Sequence, residues 1–302
     1  MNNNNFSQKE NVLLVGVIYG ELDEEKVCEH LDELSLLAET AGGNVIRRFT
    51  QKISKVNSSY FIGKGKAEEI IRIAKDLKIS SIIFDDELSP SHLKNYNNLS
   101  KEIKIIDRSM LILEIFKQRA QTKEAKTQVE LAQLQYMLPR LTRAWTHLER
   151  QMGGIGTRAG AGETQIEVDR RLIRTRISKL KKDLNKIDNE REVQSKRRGN
   201  HFKVTLVGYT NAGKSTLMKA ISGANVFIQD QLFATLDTTT RLVELDSAHS
   251  IMLSDTVGFV RKLPHHLVAS FKSTLKEVVS SDLILMVLDS SSKQVYEHYK
   301  TI

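Results

Sequence analysis

Val204-Thr-Leu-Val-Gly-Tyr-Thr-Asn-Ala-Gly-Lys-Ser-Thr-Leu217 decides the fold: an apolar run breaks at Gly208, and helix-forming residues resume after Lys214. The stretch reads as strand, phosphate loop and helix. Gly208, Gly213, Lys214 and Ser215 satisfy the G-x-x-x-x-G-K-[ST] spacing, with Tyr209, Thr210, Asn211 and Ala212 as the loop between. In that pattern the glycines let backbone N–H groups turn inward, the lysine reaches the β- and γ-phosphates, and the hydroxyl ligates Mg²⁺. A helix opening at Lys214 adds its unpaired N–H groups and the positive end of its dipole to the same anion site.

A phosphate loop that hydrolyses a nucleotide needs a second contact to the Mg²⁺ sphere and a sensor of the γ-phosphate. Both appear in order. Asp255-Thr-Val-Gly258 ends the apolar run Ser250 to Ser254 about forty residues after the loop. Asp255 is placed to hold the Mg²⁺ sphere and the Gly258 N–H to touch the γ-phosphate, with Thr256 and Val257 between them. Between the two motifs lies Phe233-Ala-Thr-Leu-Asp-Thr-Thr-Thr-Arg241, polar enough for a loop that orders when a threonine hydroxyl meets Mg²⁺ and γ-phosphate. Thr235, Thr238, Thr239 and Thr240 compete for that role. Phe259 comes after Gly258, where many regulatory GTPases carry the glutamine that orients the attacking water. An apolar side chain cannot orient water, so slow intrinsic hydrolysis is expected, with a partner or another loop completing the site.

Outward from this centre, 302 residues leave room for two or three domains, and 40% apolar residues suffice for real cores. Lys and Arg outnumber Asp and Glu by 45 to 37, a balance that favours an acidic partner such as nucleic acid. No run approaches the roughly eighteen apolar residues of a membrane span, and Met1-Asn-Asn-Asn-Asn-Phe-Ser7 is no signal peptide. A single cysteine, Cys28, excludes an intrachain disulfide, fits the cytosol, and reads as structural.

Residues 1–108 are expected to form a small parallel α/β domain. Val12 to Val17 reads as a strand. Asp23 to Thr40 reads as a helix with Val27, Leu31, Leu34 and Ala38 on one stripe, ended by Gly42-Gly43. Ile82 to Phe84 and Ile103 to Ile106 read as buried strands, separated by a helix that Ser89 caps ahead of Pro90. Phe61-Ile-Gly-Lys-Gly-Lys66 has the wrong spacing for a Walker loop and reads as a tight turn into a helix.

Residues 109–199 lose strand signals. Leu131, Leu134, Leu138 and Leu141 step by three and four, as do Ile173, Ile177, Leu180, Leu184 and Ile187. Two long helices sharing this seam predict an antiparallel hairpin, with Pro139 kinking or ending the first. The connecting Gly153 to Gly162 holds five glycines in ten residues. With Arg158 at its tip and Arg170, Arg171, Arg174, Arg176, Lys179, Lys181 and Lys182 beyond, it predicts close contact with RNA.

These residues carry a family resemblance. Arg143-Ala-Trp-Thr-His-Leu-Glu-Arg150, Gly153-Gly-Ile-Gly-Thr-Arg158, Gly162-Glu-Thr-Gln-Ile-Glu-Val-Asp-Arg-Arg-Leu172, the phosphate loop, Phe233-Ala-Thr-Leu-Asp237 and Asp255-Thr-Val-Gly-Phe259 together resemble the HflX family of translation-factor-class GTPases. Phe61 to Lys66 resembles its amino-terminal domain, so the likeness covers essentially the whole chain. The resemblance implies a cytoplasmic protein, monomeric when free, that binds GTP or GDP with Mg²⁺. It further implies hydrolysis of GTP, association with the large ribosomal subunit and its rRNA, and help in splitting or rescuing stalled ribosomes. It also implies Thr235 as the Mg²⁺ ligand beside Ser215, with Lys214, Thr235 and Gly258 acting in catalysis. Phe233, Ala234, Leu236 and Asp237 would complete the nucleotide loop.

The sequence departs from the family twice. The tip reads Arg158-Ala-Gly-Ala-Gly162 where the family carries Arg-Gly-Pro-Gly. Residues 200–302 read as a partial Ras-like P-loop G domain: the strand Asp282 to Asp289 is present, but no N-K-x-D motif comes after it before Ile302. Guanine specificity therefore rests on the resemblance, Leu283 to Leu288 is expected as an apolar edge strand, and weak nucleotide affinity is expected for the chain as given. Two other functions fit parts of the pattern. One is an RNA- or ribosome-binding module whose G domain does not hydrolyse; the other is an adenine-nucleotide-driven RNA remodeller, against which the order of the two GTPase motifs speaks.

Overall fold

The computed structural model describes residues 10–141, 165–197, 201–223, 231–247, 249–264, 267 and 277–302. The Arg143 to Arg150 motif and the glycine-rich stretch with Arg158 lie outside these residues. The chain divides into two compact units: Met1–Ile112 with Met137–Leu172, and Leu113–Tyr136 with Ile173–Ile302.

In the first unit, β1 (Glu10–Ile18), β2 (Gly43–Lys52), β3 (Ser81–Phe84) and β4 (Lys104–Asp107) form a parallel sheet in the order β2-β1-β3-β4. The centre of β1 is buried, as its unbroken apolar run requires of a strand covered on both faces. Helix α1 (Glu24–Thr40) starts where the Asp23 carboxylate accepts from the Lys26 N–H at 2.8 Å, buries Val27, Leu31, Leu34 and Ala38, and stops before Gly42 at φ +91°. Strand β2 was not expected. Its Asn-Val-Ile-Arg-Arg-Phe-Thr-Gln is mixed and largely exposed, as befits an edge, and lacks the apolar signal of its neighbours.

Phe61 to Lys66 does turn into a helix, α2 (Lys64–Asp76), with Phe61 at φ +67°. Three side chains of α3 (Pro90–Leu99) pin that turn. Asn95 donates to the Ser59 carbonyl at 2.8 Å, Tyr96 to that of Tyr60 at 2.9 Å, and His92 Nε2 faces that of Asn57 at 3.0 Å. Two buried arginines hold the carboxyl ends of β3 and β4 through ion pairs: Arg108 meets Asp85 and Glu33, and Arg140 meets Glu87 and Asp107.

The first arm of the expected hairpin is two helices, α4 (Arg108–Arg119) and α5 (Lys123–Met137), broken at Ala120 to Thr122. Leu138 and Leu141 do not extend the seam, because α5 gives way to a 3₁₀ turn, Leu138–Arg140, at Pro139. The second arm is α6 (Gln165–Arg197). In the second unit Leu131, Leu134 and Leu180 form the buried seam, flanked by Ile173, Ile177 and Leu184. Arg176 pairs with Glu130 through two nitrogens, at 2.7 and 2.9 Å, and Arg170 donates to the Leu141 carbonyl. Arg170 and Arg176, both singled out for RNA, are thus engaged within the chain.

The nucleotide-type sheet of the second unit runs β6-β7-β5-β8, from β5 (Phe202–Gly208), β6 (Thr239–Glu244), β7 (Ser250–Asp255) and β8 (Leu283–Val287). β5 lies parallel to β7 and β8, while β6 is antiparallel to β7. Its core is Val204, Leu206, Met218, Val243 and Leu253. β8 is an edge with Leu283, Ile284, Leu285 and Met286 exposed. Helices α7 (Lys214–Ser222) and α8 (Val295–Thr301) complete the described part. No helix among the described residues is long and apolar enough to cross a membrane.

Candidate nucleotide site

The loop between β5 and α7 turns at Asn211, φ +60°, and Gly213, φ +89°, so that α7 opens with an uncapped amino terminus. Two glycines, one opening this loop and one ending the D-x-x-G segment, are fixed by close approach. A Cβ on Gly208 would lie 2.4 Å from the Val287 carbonyl oxygen of β8, and one on Gly258 would lie 2.5 Å from Thr210 Cα. The close contact at Gly258 reflects backbone pairing: Thr210 N–H donates to the Phe259 carbonyl at 2.7 Å, and Phe259 N–H to that of Gly208 at 3.0 Å. The Thr256 hydroxyl donates to the Leu206 carbonyl at 2.7 Å. The two motifs, forty residues apart, are laced into one surface.

Lys214 is buried, and its ammonium donates to the carbonyls of Gly208 at 3.1 Å and Tyr209 at 2.8 Å. Burial pushes its pKa down to about 8, against the pull of Asp255. Burial raises the Asp255 carboxyl in turn, opposed by the Ser215 hydroxyl and Lys214. Ser215 Oγ lies 2.5 Å from Asp255 Oδ2 and 2.8 Å from Thr235 Oγ1. Of the four competing threonines, Thr235 is the one bonded to Ser215, whereas Thr239 and Thr240 belong to β6, where Thr240 meets Ser254 at 2.9 Å.

A cavity of about 400 Å³ opens over the loop, lined by Thr210 to Thr216, Gln231, Phe233, Ala234, Thr235, Thr256, Gly258 and Asp289. Gly208, Tyr209, Leu236, Asp237, Asp255 and Val257 do not line it. Gly208 and Tyr209 act through the carbonyls that hold Lys214, and Asp255 reaches the cavity through Ser215. Leu236 is buried. Asp237 turns away: its carboxylate accepts from the N–H groups of Gln121 and Thr122 and from the Thr122 hydroxyl. Thr216, Gln231 and Asp289 escaped the sequence reading. Asp289 had a signal, since it comes just after β8 in the crevice at the carboxyl ends of parallel strands. Ser291 donates to it through N–H and hydroxyl, at 2.9 and 2.7 Å, and holds its carboxyl below the usual range.

The donor set also fits a hard divalent cation. Ser215, Thr235 and Asp255 offer only oxygens, and Asp255 Oδ1 is buried without a hydrogen-bond partner. Among the described residues no three His, Cys, Asp or Glu cluster as metal ligands. The oxygen set of Ser215, Thr235 and Asp255 suits Mg²⁺, which is commonly shared between one or two protein groups and substrate phosphates.

Three family models cover the chain: GTP-binding GTPase N-terminal at residues 28–117, GTP-binding GTPase Middle Region at 119–198, and 50S ribosome-binding GTPase at 203–302. The GTPase HflX of Flavobacterium psychrophilum is 52% identical over 293 residues, 97% of this chain and 70% of the relative. This chain belongs to the HflX family of GTPases. The HflX of Caldanaerobacter subterraneus is 47% identical over 97% of the chain and 68% of its own length; that of Escherichia coli K12 is 46% identical over 92% and 66%. Two solved structures align with 97% of the chain. One, of SsGBP with GDP, has 29% identity, TM-score 0.55 and 75% of its chain covered. The other, of a GTP-binding protein from Sulfolobus solfataricus with GDP, has 26% identity, TM-score 0.51 and 74% covered. HflX membership makes residues 203–302 a P-loop GTPase domain for guanine nucleotides, and the chain a GTP-hydrolysing enzyme of α/β class.

Proposed function

We propose that the chain binds GTP and GDP together with Mg²⁺ in the cavity over Gly208 to Ser215, and that Ser215 and Thr235 ligate the ion. The convergence of Ser215, Thr235 and Asp255 within hydrogen-bond reach carries this reading. Lys214 moves from its carbonyls to the β- and γ-phosphates, exchanging two neutral acceptors for charged ones. The Gly258 N–H would meet the γ-phosphate, and Thr235 with Ser215 would hold the ion, which would supply charge neutralisation at the phosphates. Phe233, Ala234 and Thr235 line the cavity around them. Phe259 offers no group to orient water, so intrinsic turnover is slow and a partner accelerates it.

That partner is the large ribosomal subunit, and the reaction serves to split or rescue stalled ribosomes in the cytoplasm, with the free protein monomeric. Support comes from HflX membership, from the 50S ribosome-binding description of the family model over residues 203–302, and from Arg171, Arg174, Lys179, Lys181 and Lys182 exposed along α6.

The test is titration of the full chain with labelled GDP, with and without Mg²⁺, competed by GTP and ATP. Mg²⁺-sensitive binding displaced by GTP but not ATP, and lost in Lys214→Ala, is expected. Binding indifferent to Mg²⁺ and unchanged in Ser215→Ala and Thr235→Ala would defeat the metal assignment. Salt-sensitive co-sedimentation with 50S subunits, stimulated by a GTP analogue, tests the partner.

A further inference from the structure

Three contacts tie the loop Gln231 to Asp237 to the corner where α4 meets α5. Arg119 donates to the Gln231 side-chain carbonyl. The Phe116 ring meets that of Phe233 edge-on, centroids 4.6 Å apart. Asp237 accepts from Gln121 N–H at 3.2 Å, from Thr122 N–H at 3.4 Å and from the Thr122 hydroxyl. A fourth contact comes from the phosphate loop, where Thr210 Oγ1 accepts from Phe233 N–H at 2.8 Å. Thr235, which meets Ser215, lies between these anchors.

The loop is held against its own backbone preference. Phe233 sits at φ +54°, a left-handed conformation that bulky L-residues rarely adopt. Such a conformation persists only where the surroundings over-determine it. Phe233 is 1% exposed, clamped by Phe116 on its ring and Thr210 on its N–H, while Asp237 fixes the far end of the segment. Releasing Asp237 lets the segment relax, and Thr235 is two residues away.

Thr122 serves both sides of this contact. Its hydroxyl donates to Asp237 and accepts from the Ala125 N–H at 3.1 Å in the first turn of α5. The Asp237 carboxylate also lies where that helix's amino terminus favours negative charge. We infer that Thr122 and Asp237 form a latch that positions Thr235 opposite Ser215, so that the γ-phosphate contact and the first turn of α5 form or loosen together. Asp237 is thereby a positioning residue rather than a nucleotide ligand. The inference rests on the proposed role of Thr235 toward Mg²⁺ and the γ-phosphate.

The experiment compares the affinity of the full chain for GDP and for a non-hydrolysable GTP analogue in Mg²⁺, with single-turnover hydrolysis alongside. In Thr122→Val and Asp237→Ala, GDP affinity stays within about twofold. Analogue affinity and single-turnover rate each fall about tenfold, the scale of one charge-assisted hydrogen bond. Thr122→Ser, which keeps the hydroxyl, restores both. In the wild-type chain the amides of Gln121 and Thr122 exchange more slowly with the analogue than with GDP, a readout that needs no variant. If the wild type prefers the analogue in Mg²⁺ and both variants prefer it equally, or if the two amides exchange identically in both states, the latch is overturned. If the wild type itself ignores Mg²⁺ and the γ-phosphate, the Thr235 assignment fails and the latch with it.

Discussion

Gly258→Ala tests the pairing between the phosphate loop and the D-x-x-G segment. Gly258 has no positive φ, so the objection to a side chain is steric. A methyl group there lies 2.5 Å from Thr210 Cα, 2.8 Å from Thr210 N and 3.0 Å from Lys214 Nζ. Carbon atoms settle about 3.5–4.0 Å apart, so the segments must part by roughly 1 Å. The two closest atoms are backbone, so no rotamer relieves the contact. Parting stretches the Thr210–Phe259 and Phe259–Gly208 bonds from 2.7 and 3.0 Å. At roughly 3.7 and 4.0 Å neither is a hydrogen bond. The loss of two net bonds is about 1–3 kcal/mol, and staying put costs a similar overpacking strain. These are alternatives, so the local cost is about 1–3 kcal/mol, not their sum. Amide exchange at Thr210 and Phe259 in the full chain reads it directly: protection falls about 5- to 150-fold. Nucleotide affinity falls with it, because Thr210 also holds Phe233 and Lys214 lies beside the new methyl. Gly65→Ala is the control. Gly65 lies in α2 with nothing within 4 Å of a Cβ, so alanine there is neutral or stabilising by up to about 1 kcal/mol. Unchanged protection and affinity in Gly258→Ala, or an equal loss in Gly65→Ala, would refute the reasoning.

His92 makes the first unit sensitive to acid. Its Nδ1 accepts from the Ser89 N–H at 3.2 Å, its Nε2 faces the Asn57 carbonyl, and burial lowers its pKa from 6.5. The unfolded chain therefore takes up the proton first; the stability from the neutral ring is full above pH 6.5 and is lost as pH falls below it. Urea midpoints across that range should slope less in His92→Gln than in the wild type, and equal slopes would contradict the assignment. On the hairpin, Leu180→Ala empties a seam position packed on Leu131 and Leu134 and should cost about 2–3 kcal/mol, the low end for a leucine between two helices. Arg176→Gln breaks an exposed pair and should cost at most about 1 kcal/mol. Amide exchange along α6 ranks the two, and the reverse order would count against this packing.

The legible parts are those whose cause is local. Asp23 three residues before Lys26, a four-residue stripe behind it and a glycine at the end define α1 within the helix itself. Pro139 likewise stops α5 by its own missing N–H. β2 was illegible for the opposite reason: an edge strand is specified by the partner that takes its hydrogen bonds, and Arg47-Arg-Phe-Thr50 carries no apolar alternation to announce it. The break at Ala120 to Thr122 was hidden in a run of helix formers: Thr122 caps α5 by accepting from Ala125 N–H, and the carboxylate that also engages the corner belongs to Asp237, 115 residues on.

That separation explains how the site itself divides between what sequence shows and what it conceals. The spacing G-x-x-x-x-G-K-S and the position of D-x-x-G are dictated by the size and charge of a polyphosphate, and they single out Lys214, Ser215, Asp255 and Gly258 without reference to the rest of the chain. Phe233-Ala-Thr-Leu-Asp237 is a motif of a different kind. Its residues point three ways: Thr235 to the cavity, Leu236 into the interior, and Asp237 to Thr122. Spacing suggests that such residues act together, but a carboxylate two positions from a threonine that lines the cavity looks like a ligand until its partner is located. The segment is better understood as a joint, with one face turned to the phosphates and the other to a helix end. Loosening either face should then be felt at the other, which a pocket built from nucleotide ligands alone would not predict.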